Sequence, residues 1–378
     1  MGQYDNGWEE KFHFQERKDS RKDRKMARSK DRSQFKKTDQ DQKKKNALPT
    51  KELPAGSKKG RVLHISSDGI IVDSHGEIYL CSLRGTLKQE NVRKKNLVAV
   101  GDFVQFLPDA ASQGEKLGSI AVIEDRYSLL SRADNLSRQK EQLIAVNIDQ
   151  VLITTSVIMP PLKPSLIDRY IIAARKGNME PVLIINKIEL LLDPPENIDG
   201  EFLAKEKLLF DEIVTIYRSL SISVLCVSTV TGAGMEELQE IMKGKVSVFS
   251  GQSGVGKSSL INAVTGANLR TGDLMFKTSK GTHTTTSAQL LALGNDGFCI
   301  DTPGIRSFGL WDLDREEIEA YFTEIFSVGR DCRYPDCTHL HEPACAVRLA
   351  VEEGQISRLR FDSYCALMTA AQQEHLNR

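Results

Sequence analysis

No run in these 378 residues approaches the roughly 18 to 20 consecutive apolar residues that a bilayer-spanning helix needs, and no apolar stretch follows the first Met as an export signal would require. The expectation is a cytoplasmic chain with no membrane partner. Cysteine is sparse: seven are scattered along the chain, an odd number, and three of them cluster beside histidines. That pattern favours reduced thiols and a metal over a disulfide framework. Net charge is also absent, at +0, but residues 1 to 60 hold eighteen Lys and Arg against ten Asp and Glu. The rest of the chain is correspondingly acidic, so the basic end stands apart as an arm.

Apolar surface is scarce in residues 1–58, where Lys, Arg, Asp, Gln and Ser surround Trp8, Phe12, Phe14 and Phe35. So little can be buried that the segment reads as a disordered basic tail, either simply solvated or an arm that contacts RNA. Over 59–126 the pattern changes to RVLHIS, IIVD, IYLCSL, DFVQFL and SIAVIEDR, short β-rich runs broken by turn residues. Five such strands predict a small closed barrel of the OB type, which either binds oligonucleotides or serves as a structural module. Arg84, Lys88, Arg93, Lys94 and Lys95 on the connecting segment favour nucleic acid.

Residues 127–312 read as an α/β doubly wound domain. DQVLITTSV, PVLIINK, ISVLCVS and KVSVFSG are candidate buried parallel strands; SLIDRYIIAARK, EFLAKEKLLFDEIVTIYRSL, MEELQEIM and GKSSLINAVTG are the helices between them. Residues 313–378 are helical around a Cys/His-rich loop. The expected whole is multidomain: an OB-type β-barrel, a central α/β P-loop domain and a C-terminal helical zinc-binding domain.

Gly251, Gln252, Ser253, Gly254, Val255, Gly256, Lys257 and Ser258 match G-x-x-x-x-G-K-S between a strand and a helix, the helix continuing through Ser259. Glycines there let successive N–H groups fold around phosphate oxygens at a helix N-terminus. Lys257 neutralises the β and γ phosphates, and the Ser258 hydroxyl ligates Mg²⁺. Asp301, Thr302, Pro303 and Gly304 follow a strand, placing a carboxylate to hold Mg²⁺ through water and the Gly304 N–H to sense the γ-phosphate. Asn186, Lys187, Ile188 and Glu189 close another strand as an N-K-x-D-like element. A carboxylate at its end accepts hydrogen bonds from N1–H and the exocyclic amine of guanine, a donor pair adenine lacks. Here the carboxylate is Glu189, whose extra methylene moves it by about 1 Å and keeps adenine as the alternative. Cys226, Val227 and Ser228 would supply the loop that backs the base.

Cys332, Cys337, His339 and Cys345 form C-x4-C-x-H-x5-C, enough ligands to close one structural tetrahedral Zn²⁺ site, with His341 the competing ligand. Cys81, Cys226, Cys299 and Cys365 sit in apolar patterns and are expected to be buried small hydrophobes.

The motif order carries further meaning. Base elements at 186–189 and 226–228 precede the P-loop, a Thr-rich switch at 281–286 and DTPG at 301–304. With GQSGVGKSS, GTHTTT, DTPGIRSF and IDRY, flanked by a barrel and a zinc motif, residues 60 to 360 closely resemble the ribosome small-subunit-dependent GTPase A family of circularly permuted GTPases. The resemblance implies a late small-subunit assembly factor that binds GTP, works on the subunit and its rRNA, and leaves after hydrolysis to GDP. It assigns zinc to the same four residues. Related enzymes often place a water-orienting Gln at the position of Ile305, so another group must do this: His283 is the candidate from this chain, or else it is a solvated loop histidine. Thr284 or Thr285 is expected on Mg²⁺. Permutation also makes residues 305–313 the link from the phosphate-sensing loop to the C-terminal module, where an order change on hydrolysis could act directly. The chain is expected to be monomeric. Two other readings remain open: a non-catalytic RNA-binding scaffold stabilised by nucleotide, and a signalling GTPase with a protein effector.

Overall fold

A computed structural model describes residues 56–84, 97–109, 116–134, 137–266, 288–294, 296–301 and 315–376. Residues 1–55 of the basic tail, Lys88, Arg93, Lys94, Lys95 and the segments 267–287 and 302–314 lie outside the described residues, whereas Lys58, the expected last residue of the tail, opens the first strand. Contacts divide the chain into one unit spanning Lys51–Trp311 and another holding Asp312–Arg378.

The first unit opens with β1 (Lys58–Ile65), β2 (Ile70–Ser74), β3 (Glu77–Leu83), β4 (Phe103–Pro108) and β5 (Leu117–Ile123). Strand β1 pairs with β2 and β4, β2 with β3, β4 with β5, and β3 runs parallel to β5, so the ring closes in the order 1-2-3-5-4. Val62, Val72, Cys81, Val104, Phe106 and Ile120 fill its interior. Gly118 is required there: a Cβ would lie 2.8 Å from the Phe106 ring and 2.9 Å from the Cys81 sulfur. This is the barrel expected from the five short runs. Next comes a hairpin, β6 (Leu129–Asp134) with β7 (Ser137–Val146). The polar run SRADNLSRQK shows no alternation, so neither strand was legible in sequence.

The central sheet contains β8 (Gln150–Ser156), β9 (Glu180–Asn186), β10 (Ser223–Cys226), β11 (Val246–Gly251), β12 (Gln289–Ala292) and β13 (Phe298–Asp301). Five strands run parallel in the order β10-β9-β8-β11-β13, and β12 adds an antiparallel strand paired to β13 on one side and β1 on the other. Every residue of β8 and β11 is buried, as helices on both sheet faces demand. Helices α1 (Pro164–Lys176), α2 (Gly200–Ser219), α3 (Met235–Met242) and α4 (Lys257–Thr265) supply those faces. Pro164 starts α1 where a missing N–H costs nothing. Asp199 caps α2 by accepting from Glu201 N and Phe202 N. Leu152, Ile184, Leu225, Leu238, Phe249 and Leu260 form one apolar cluster under α3 and α4. Asp168 of the IDRY segment is fully buried and accepts from the Tyr217 hydroxyl at 2.6 Å, joining α1 to α2.

Barrel and sheet are continuous. His64 of β1 pairs with Gln289 of β12, which pairs with Asp301 of β13, so these three residues share one row across the strands. Arg61 lies between the Phe103 and Phe298 rings at 4.8 and 5.1 Å and donates to the Asn147 carbonyl at 2.9 Å. Burial lowers its pKa from the ordinary arginine value. Asn147, fully buried with φ +56°, binds Gly101 O through its amide and accepts Tyr127 N. Beside it, Asp102 accepts Arg126 Nε and Nη2, each at 2.7 Å, and Ala99 N. Its side chain is wholly buried, while that of Arg126 is 22% exposed. Asp102→Ala strands the guanidinium and an amide together, so a loss of about 3 kcal/mol is expected, the low end for breaking a buried pair. A denaturant titration in which the midpoint does not move would remove this pair from the set of stabilising contacts.

The second unit packs α5 (Arg315–Tyr321), α6 (Thr323–Val328), a turn at Gly329–Asp331, α7 (Ala346–Glu352) and α8 (Arg358–Leu376). Phe322, Ile325, Val347 and Tyr364 are its fully buried core, with the Phe322 and Tyr364 rings edge to face at 5.5 Å. Arg360 donates to Glu324 at 2.7 Å and lies 4.2 Å from the Phe322 ring.

Candidate nucleotide site and metal centre

The carboxyl ends of β8, β9, β10, β11 and β13 lie at one edge of the sheet, where open α/β folds bind ligands. From β11 the chain turns through Gly251, Gly254 and Gly256, at φ +150°, +84° and +95°. Two of these glycines are fixed by close approach. A Cβ on Gly251 would sit 2.0 Å from the Thr154 carbonyl, and one on Gly256 would sit 2.4 Å from the Asn186 amide nitrogen. Successive N–H groups with left-handed glycines at the start of α4 make a concavity suited to anions. Val255 anchors the loop from below, 1% exposed, while Ser253, Gly254, Ser258 and Ser259 face solvent and Gln252 is half-buried. Lys257 donates to the Gly251 and Gln252 carbonyls at 2.8 and 2.7 Å, so its ammonium is held along the loop.

The N-K-x-E element at 186–189 is built into the same wall. Asn186, 1% exposed at the end of β9, donates through Nδ2 to the Val255 carbonyl at 2.9 Å. Lys187, left-handed at φ +64°, donates to the carbonyls of Met159 and of Gly254, the latter at 2.7 Å. Glu189 follows in the turn Ile188–Leu191, and Ile188 N reaches Val227 O at 3.4 Å. Two acceptors here, Asn186 Oδ1 and Glu189 Oε2, are buried without a hydrogen-bond partner. An unpaired carboxylate oxygen at Glu189 is an acceptor of the kind that the N1–H and exocyclic amine of guanine would satisfy. Ser228 is fully buried and its hydroxyl accepts Val230 N and Thr231 N, shaping the loop that backs the position. Val227 is buried as well, and Gly234, at φ +69°, clears the Cys226 carbonyl.

Asp301 ends β13 beside the P-loop strand, in the register Val248↔Ile300. His283, Thr284, Thr285, Gly304 and Ile305 lie outside the described residues. The tie between Asn186 and Val255 was not foreseeable from sequence, since 69 residues separate the two.

Cys332, Cys337, His339 and Cys345 are all buried, and their ligand atoms lie within 4.8 Å of one another. Cys332 Sγ lies 3.8 Å from Cys345 Sγ, and His339 Nδ1 lies 3.4 Å from each of these sulfurs. A tetrahedral zinc ion with bonds of about 2.3 Å to sulfur and about 2.0 Å to nitrogen would space sulfurs by about 3.8 Å and sulfur from nitrogen by about 3.5 Å. The four side chains therefore fit that ion. The shared hydrogen bonds among the cysteines lower the Cys332 thiol and raise that of Cys337, so the two sulfurs compete for one proton. His341 is exposed and outside the cluster. Of the remaining cysteines, Cys81 and Cys299 are buried as expected, whereas Cys226 and Cys365 are half-buried, a correction: Cys226 is the last residue of β10, and Cys365 lies within α8 on a partly solvent-facing position.

A family profile described as RsgA GTPase matches residues 123–311. The small ribosomal subunit biogenesis GTPase RsgA of Chlorobaculum parvum is 41% identical over 278 residues, covering 72% of this chain and 85% of that protein. Its counterpart from Bacteroides fragilis YCH46 is 37% identical over 296 residues, 78% of this chain and 90% of the relative. Among solved structures, YjeQ from Thermotoga maritima superposes with a TM-score of 0.65 at 32% identity, covering 84% of this chain and 99% of that one. YloQ, a circularly permuted GTPase, shares the fold with a TM-score of 0.63 at 23% identity, covering 86% and 98%. A P-loop bonded to an N-K-x-E element that precedes it in sequence, a closed barrel ahead of both, a Cys3His cluster behind them and this extent of identity place the chain in the RsgA GTPase family.

Proposed function

We propose that this chain hydrolyses GTP on the small ribosomal subunit as a late assembly factor, with turnover stimulated by the subunit and coupled to release. The observation that carries the reading is the join between phosphate loop and base reader. Asn186 holds Val255 O while Glu189 Oε2 and Asn186 Oδ1 are buried acceptors awaiting donors. The names of the relatives supply the subunit.

In this reading the backbone amides of 251–258 grip the β and γ phosphates, and Lys257 swings from its two carbonyls onto them. Ser258, Thr284 or Thr285, and Asp301 would hold Mg²⁺, which would supply neutralisation of phosphate charge. Gly304 senses the γ-phosphate and His283 orients the attacking water. Rate acceleration is then positioning and charge neutralisation by groups already in place. Cys332, Cys337, His339 and Cys345 would hold one zinc ion per chain, which would stiffen the C-terminal module. The barrel is the RNA-facing module in this reading, with Arg84, Lys88, Arg93, Lys94 and Lys95 supplying the positive charge, whereas Lys58 and Lys116 are held by Glu77 at 2.9 and 2.6 Å and Lys59 by Glu124 at 3.6 Å. The protein works as a cytoplasmic monomer.

GTP turnover measured with and without purified small subunits tests the proposal. Stimulation of at least tenfold is expected. Hydrolysis indifferent to subunits points instead to a signalling GTPase, and subunit binding without hydrolysis points to a scaffold.

A further inference from the structure

We propose that Glu319 is the outer partner that fixes His339 as an Nδ1 ligand, and that it thereby fastens the metal cluster to α5. The inference rests on the zinc reading of the cluster above.

His339 is fully buried, its Nδ1 facing the Cys332 and Cys345 sulfurs at 3.4 Å and its Nε2 facing Glu319 Oε1, also at 3.4 Å. A neutral imidazole that coordinates through Nδ1 must carry its proton on Nε2. At a buried position that N–H needs an acceptor, and a carboxylate 16% exposed is in place to be one. Coordination withdraws electron density from the ring, so the Nε2–H becomes a stronger donor and the contact tightens. The fold makes room for it. Gly329, at the start of the turn after α6, would carry a Cβ 3.0 Å from both Glu319 Oε1 and His339 Nε2, so any larger residue would wedge the pair apart. Tyr364 donates to the Thr338 carbonyl at 3.0 Å, and its ring lies 6.0 Å from the imidazole at an interplanar angle of 43°.

Sequence spacing could not reveal Glu319, which lies on α5, 13 residues before Cys332. Its position also matters for the chain path. Helix α5 is the first described element after Asp301, so the cluster is bonded to the helix on which the chain emerges from the segment after the magnesium-side strand.

The test uses the full chain and zinc alone, titrated against a chromophoric chelator at neutral pH. Glu319→Ala should weaken zinc binding about 10- to 100-fold. Glu319→Gln, whose carbonyl still accepts, should stay within a few fold of the parent, and exposed Glu352→Ala should leave affinity unchanged. Equal affinity for Glu319→Ala and the parent overturns the proposal. A parent that holds no zinc overturns the zinc reading itself, a distinct result. If Glu319→Ala does not fold, ¹⁵N histidine spectra of the zinc-loaded parent decide: Nδ1 bound with Nε2 protonated supports the assignment, and Nε2 bound refutes it.

Discussion

Lys257→Ala is expected to lower subunit-stimulated GTP turnover by at least on the order of 10²–10³, the scale on which a single preorganised electrostatic group acts. The structure says why the loss should be one of chemistry. Lys257 Nζ is bonded to Gly251 O and Gln252 O, carbonyls at the lip of a loop whose middle residues face solvent. Water can replace those bonds when the amine is gone, so the stability change should stay near about 1 kcal/mol. What water cannot replace is a positive charge delivered to the bridging and terminal phosphate oxygens in a site closed by backbone amides. Lys257→Arg should not restore the rate, because a planar fork cannot follow the path of a compact ammonium between those carbonyls. Single-turnover hydrolysis with saturating subunits and magnesium measures the effect, alongside a melting curve. Wild-type turnover in Lys257→Ala would falsify the phosphate assignment.

The sequence was legible where backbone periodicity and local spacing coincide. The five barrel strands, four parallel strands, their helices and the zinc ligands all appear in local patterns. What escaped it depends on distant partners. The hairpin β6–β7 shows no alternation, and it is the pairing of Leu129 with Val146 and of Leu130 with Ala145, together with Leu129 N on Gly177 O, that defines it. Strand β12 is four residues long and exists as the link between β13 and the barrel. At the site, GxxxxGKS and NKIE were readable as separate elements, but the hydrogen bond that makes them one wall joins Asn186 to Val255. Glu319 carries no spacing signal at all. The same holds for the junction, where Asp102, Arg126, Asn147 and Arg61 come together from four separated stretches. Local rules specify elements; buried polar partners specify how the elements meet.

The glutamate in the base-reading element gives the second large effect. Glu189→Gln should weaken GTP binding by on the order of 10²–10⁴, since two charge-assisted hydrogen bonds at about 1.5–3 kcal/mol each are lost together. The direction follows from the donor pattern. Guanine presents N1–H and an exocyclic amine, both donors, to a carboxylate oxygen that is buried and otherwise unpaired. An amide in its place turns one of its two groups into a donor facing a donor. Xanthine carries a carbonyl where guanine carries the amine, so the same variant should bind xanthosine triphosphate more tightly than the parent does, reversing the preference. Glu189→Asp should keep guanine within about tenfold, because Ile188 N on Val227 O sets the turn independently of side-chain length and a shift of about 1 Å leaves a hydrogen bond reachable through relaxation. Asn186, Lys187 and the P-loop are unchanged in all three proteins, so phosphate affinity serves as the internal reference. Calorimetric titration of GTP, ATP and xanthosine triphosphate against the parent and both variants reads the result, and equal affinity of the parent for ATP and GTP would show that Glu189 does not read the base.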